Sequence, residues 1–112
     1  MSMHPDSAQM LYSRRIILRF LDVLIGVIEL LLAARVILRA LGANAGSAFV
    51  AWIYGTTDQL LLPFFGSFPS VALSGVYVIE FSTLFAMIVY AFLGWALIRL
   101  VAFVIDSVLR IE

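Results

Sequence analysis

The sequence predicts an all-α membrane protein, a two-span transmembrane helical hairpin joined by an amphipathic interfacial or re-entrant connecting helix. Three observations carry this expectation. The 112 residues are 64% hydrophobic and only 12% charged, with a mean hydropathy of +1.13; a soluble domain has about 25% charged residues. Two apolar runs each exceed the roughly 20 residues needed to cross a bilayer. Between them lies a stretch punctuated by Gly, Asn and Pro, which interrupt helices. A chain of this length forms one domain, and as a soluble fold it would have too little interior to hide so much apolar surface.

Taken in order, residues 1–13, MSMHPDSAQMLYS, read as a polar N-terminal tail. The first span covers residues 14–41. Its opening, SRRIILRF (Ser13–Phe20), resembles a twin-arginine export signal, and ANA (Ala43–Ala45) a cleavage site, but signal cores are short and free of acids. This run is far longer and contains Asp22 and Glu29, so a retained span is expected. Residues 42–75 connect the spans. Within them, residues 48–62 have helical periodicity, with Ser47 as N-cap and Pro63 as terminator. One face of that helix carries Phe49, Trp52, Ile53, Thr56 and Leu60, and the other Ala51, Gly55 and Asp58. Trp52 and Tyr54 suit headgroup depth. Phe64, Phe65 and Phe68, around Gly66, offer an apolar surface for a partner or the membrane interface. The second span covers residues 76–105, and residues 106–112 form a C-terminal tail.

Net charge is zero, and all seven basic residues are Arg. Without clustered excess positive charge, no nucleic-acid partner is expected. There is no Cys, and the sole His is His4 in the tail, so neither a metal site nor a cofactor is expected. No spacing of base and nucleophile suggests an enzyme. Two spans put both termini on one side, with Arg14, Arg15, Arg19, Arg99 and Arg110. The connecting side has Arg35 and Arg39, whose long stems can reach the far interface. Arginine excess marks the cytoplasmic side, so both termini are expected there.

At helical periodicity, Arg15, Arg19, Asp22, Gly26, Glu29, Ala33, Val36 and Ala40 lie within about 60° of Asp22. Small residues permit close helix approach and ionisable ones avoid lipid, so this stripe should meet protein. The second span offers Glu80, Leu84, Met87, Ala91, Gly94, Ile98 and Ala102, flanked by Thr83 and Tyr90. An antiparallel hairpin brings Gly26 level with Gly94, Glu29 with Tyr90, and Asp22 with Arg99. Gly26, Ala33, Ala91 and Gly94 are therefore candidate packing positions. Asp22–Arg99 and Glu29–Tyr90 are candidate intramembrane pairs.

RVILRALGAN (Arg35–Asn44), FVAWIYGTTDQLLLPF (Phe49–Phe64), Pro69 and the helix after Glu80 together resemble the YggT, or YlmG-like, family. Arg35, Arg39, Asn44, Phe49, Tyr54, Thr57, Asp58 and Pro63 fit its pattern. Gln59 replaces a usual Pro and Phe65 a usual Arg, as in a divergent single-repeat member. The resemblance implies a small integral membrane protein of a bacterial inner membrane, or its organellar equivalent, without known enzymatic activity. Its relatives are associated with division, membrane organisation and, in chloroplasts, cytochrome-complex assembly.

The expected function is that of a non-catalytic accessory or assembly subunit, packed in the lipid bilayer against a larger membrane complex or in a homo-oligomer. Trp52, Tyr54, Asp58, Phe64, Phe65 and Phe68 are its candidate contact residues. The alternative is an oligomeric ion or proton pathway using Asp22 and Glu29.

Overall fold

Few helix breakers interrupt the chain before Gly42, and the first helix is correspondingly long. The computed structural model describes residues 5–111, leaving His4 outside. Helix α1 spans Pro5–Ala40, α2 spans Ala48–Leu61, and a 3-10 turn follows at Leu62–Phe64. Strands β1 (Val71–Ser74) and β2 (Tyr77–Ile79) form an antiparallel hairpin before α3, Phe81–Ile111. The expected polar tail is thus helical from Pro5, a residue suited to a first helical turn because it has no N–H to leave unpaired.

Gly42 ends α1 with φ +71°. Its N–H donates to the Arg39 carbonyl at 3.1 Å, and the Ala43 N–H donates to the Leu38 carbonyl at 2.9 Å. This is the Schellman pairing that satisfies the last carbonyls of a helix. A side chain at Gly42 would also meet Val76 at 2.7 Å, so the glycine admits the β-hairpin. Ser47 occupies the N-cap of α2 with extended backbone but makes no side-chain cap bond. The Asn44 side chain instead accepts the Gly46 N–H at 2.9 Å. Pro63 falls within the 3-10 turn after α2.

The hairpin corrects the expectation of a span starting at residue 76. Gly75 has φ +55°, as the first central position of a two-residue type II′ turn requires. An apolar, β-branched run such as Val76–Ile79 reads equally well as strand or helix entry. At the other end α3 continues to Ile111, through the residues expected to form a tail.

Helices α1 and α3 pack antiparallel along most of their length. Arg14 meets Asp106, Ile25 faces Gly94, and Arg35 meets Glu80. Along α1 the covered positions include Arg14, Leu18, Leu21, Ile25, Ile28, Leu32, Arg35 and Arg39. They alternate by four and three residues, the repeat of a knobs-into-holes seam. Full burial collects at the connector end, where Leu32, Leu61 and Ala86 form a core beside Thr57 and Thr83. The molecule measures 67 × 27 × 18 Å, and its long sides expose large apolar residues, among them Phe20, Leu30, Ile88, Phe92 and Phe103. Among the described residues, one helix is long and apolar enough to cross a membrane, at Phe81–Val108. The longer α1 carries more charge.

Candidate functional site

Three elements converge on Arg35. Its seam position on α1 aims it inward at the end where α2 crosses the helix pair. The hairpin delivers Glu80 just before α3, and one face of α2 presents Tyr54, Thr57 and Asp58 at helical spacing. The Arg35 side chain is 2% exposed. Its Nε donates to Glu80 Oε1 at 2.8 Å and its Nη2 to Glu80 Oε2 at 3.2 Å. This parallel fork is the strong form of an arginine–carboxylate pair. Nη1 donates to Asp58 Oδ1 at 2.6 Å, Thr57 Oγ1 at 2.9 Å and the Tyr54 carbonyl at 3.2 Å. Thr57 can accept because its own proton goes to the Ile53 carbonyl at 2.7 Å.

Arg39 lies one turn further along the same face. Its Nε is 3.5 Å from Glu80 Oε2, and its guanidinium stacks over the Tyr54 ring at 4.6 Å. Thr83 Oγ1 donates to Glu80 Oε1 at 3.3 Å. Two guanidinium groups thus face two carboxylates, and the cluster balances its own charge. With Arg35 bonded through each of its nitrogens, the arrangement can hold three elements together.

A second tie secures the connector lower down. Tyr90 donates its hydroxyl proton to the Leu60 carbonyl at 2.6 Å, one of the helix-end carbonyls without an intrahelical partner. Ser82 Oγ donates to the Phe68 carbonyl at 3.0 Å and accepts the Phe68 N–H at 3.2 Å. Phe64 meets Phe85 and Tyr90 edge-on at 5.9 and 5.5 Å, and Phe68 meets Phe85 at 5.2 Å. Such pairs add about 0.5–1.5 kcal/mol each beyond area burial.

The sequence-predicted residues divide clearly. Gly94 is buried, and a Cβ there would meet Ile25 at 2.5 Å. Gly26 has nothing within 4 Å of such an atom, Ala33 is partly buried and Ala91 is exposed. The expected Asp22–Arg99 pair is not formed: Arg99 lies over Trp95 at 5.1 Å, and Asp22 lines a cleft with Arg15 and Arg19. Nor does Tyr90 reach Glu29, whose Oε1 is buried without a hydrogen-bond partner. Ile25 packs against Gly94, one position from the expected Gly26–Gly94 level. Helix rotation differs from the expected stripe: the seam turns Ile25 and Ile28 inward and leaves Asp22 and Gly26 open. Arg35, expected to reach outward, is instead the most enclosed arginine among the described residues.

On the connector, Tyr54, Asp58 and Phe64 are engaged within the chain, while Trp52, Phe65 and Phe68 remain 58%, 50% and 46% exposed. Sequence reasoning missed Arg35, Glu80, Thr57 and Thr83 as one cluster, and the Arg14–Asp106 pair at 2.9 Å. The four–three spacing from Arg14 to Arg39 was the available signal. Among the described residues no group of three or more His, Cys, Asp or Glu is placed to hold a metal.

Fold and site together define a small, mostly helical protein with a helix of membrane-spanning length and a connector locked by a buried arginine. The chain belongs to the CCB3/YggT family, whose model matches residues 14–101. No curated protein and no solved structure matches it. The matched region contains the whole Arg35 cluster, and Arg35, Arg39, Tyr54, Thr57 and Asp58 all belong both to that cluster and to the motifs that carried the resemblance.

Proposed function

We propose that this chain is a non-catalytic accessory or assembly subunit that crosses the bilayer twice and packs against a larger membrane complex. The carrying observation is the strip of α1 bearing Asp22, Gly26 and Glu29. Gly26 is open, Glu29 has a buried oxygen without a partner, and Asp22 makes no ion pair among the described residues. Ionisable groups at membrane depth seek protein or water, and among the described residues neither Asp22 nor the buried Glu29 oxygen finds a polar partner within its own chain.

Two spans are supported by the antiparallel packing: if α3 crosses a bilayer, α1 is carried with it. Phe20, Val23, Leu24, Val27 and Leu30 on α1 are exposed as lipid-facing residues would be. From Arg19 to Arg39 is about 30 Å of helix, the thickness of a hydrocarbon core. The arginine imbalance supports cytoplasmic termini, with Trp52 and the β-hairpin at the opposite interface.

Reporter fusions beyond Glu112 and before Ser2 should both report cytoplasm, and one at Ser47 the opposite side. Termini on different sides would remove the two-span reading. Purified in mild detergent, the chain should bring down a discrete membrane-protein partner, and Gly26→Leu should release it. The unpartnered Glu29 oxygen favours a second reading, a proton or cation pathway. Flux through the wild-type chain alone in liposomes, lost in Glu29→Gln, would select that reading instead.

A further inference from the structure

The end of the helix pair opposite the Arg35 cluster holds a cleft of about 530 Å³ with a different charge logic. Arg14, Arg15, Arg19 and Asp22 line it over an apolar floor that includes Leu18 and Ile98. Arg14 is engaged by Asp106 at 2.9 Å. Arg15 and Arg19 are exposed and make no ion pair among the described residues. Whereas Arg35 and Arg39 are matched by Asp58 and Glu80, this end has cations in excess of its acids. We propose that Arg15 and Arg19 bind the phosphodiester headgroup of an anionic phospholipid in this cleft.

The depth of the cleft selects a lipid over a soluble phosphate. Arg19 lies about 30 Å along α1 from Arg39, which puts it at the opposite headgroup layer if Arg39 is at one interface. The Leu18 and Ile98 floor then faces the first carbons of the acyl chains, while the guanidinium groups reach the phosphate. Arginine matches phosphate geometry through paired donors, and basic clefts between spanning helices are suited to anionic headgroups. Asp22 sets a limit on affinity, because its carboxylate opposes the phosphate within the same cleft.

This inference rests on the two-span reading, and one experiment separates the two. The full chain is reconstituted into nanodiscs of phosphatidylcholine containing a minority of phosphatidylglycerol, then extracted gently and analysed for retained lipid by native mass spectrometry. Retention should favour phosphatidylglycerol, and Arg15→Gln/Arg19→Gln should cut that preference on the order of thirtyfold. Asp22→Asn, which leaves both arginines in place, should raise it. Excess inorganic phosphate should not displace the lipid. Equal retention of both lipids by wild type would overturn the headgroup site while leaving the two-span reading standing, and so would displacement by inorganic phosphate. Failure of the chain to enter nanodiscs at all would overturn both.

Discussion

Replacing Arg35 by Met probes the connector lock directly. Methionine preserves much of the apolar stem, so the change isolates the guanidinium. Its loss strips the bidentate partner from Glu80, which is 13% exposed, and a donor from fully buried Thr57. Breaking a buried ion pair from one side costs about 3–5 kcal/mol. Two features pull the value to the lower end of that range. Arg39 remains 3.5 Å from Glu80, and the Asp58 side chain is 53% exposed, so it regains water. The expected loss is about 3 kcal/mol, measured by unfolding in mixed micelles. Asp58→Asn should cost about 1 kcal/mol or less, as exposed pairs do. Glu80→Gln keeps an acceptor and should fall between. In a double-mutant cycle, Arg35→Met and Glu80→Gln should be strongly non-additive. Hydrogen exchange should show α2 amides losing protection before those of the α1–α3 pair. Arg35→Met within about 0.5 kcal/mol of wild type, or Asp58→Asn as costly as Glu80→Gln, would refute the lock.

Three further outcomes follow from the helix seam. Gly94→Leu should weaken α1–α3 pairing by about 1–3 kcal/mol, because the added atoms enter Ile25, while Gly26→Leu should leave detergent-state stability near wild type; a thermal unfolding series compares them. Tyr90→Phe should lose about 0.5–1.5 kcal/mol with its bond to the Leu60 carbonyl, visible as faster exchange at the end of α2. Arg14→Ala should cost less than about 1 kcal/mol, since both partners of its ion pair are substantially exposed, and high salt should erase most of the difference.

The mostly helical class, both long helices and the connecting helix were legible in the sequence, because length, hydropathy and Gly punctuation report backbone state directly. Helix rotation was not. In a soluble hairpin the apolar face is the packed face, but in an apolar chain Ile25 and Ile28 in the seam look like Leu24 and Leu30 facing outward. Charge and small size were then the only visible contrasts, and they pointed to Asp22, Gly26 and Glu29. Of those, Asp22 and Gly26 are exposed, and Glu29 is partly buried with one oxygen unpartnered. The same reasoning hid Arg35, since an arginine near a helix end is ordinarily free to reach water. Only the arrival of Glu80 on an unforeseen β-hairpin, and of Thr57 and Asp58 on α2, turns it inward.

The most direct test of the subunit reading is a photoreactive side chain at position 26, activated in native membranes. Gly26 is exposed, and nothing lies within 4 Å of a Cβ built there, so a side chain starts into open space beside the helix pair. The same probe at Phe92, 64% exposed on α3, serves as a lipid-facing control. A discrete protein adduct at position 26, beside mostly lipid adducts at position 92, is the predicted result. Lipid adducts alone at both positions would mean that the Asp22–Gly26–Glu29 strip meets no partner, and would contradict the account.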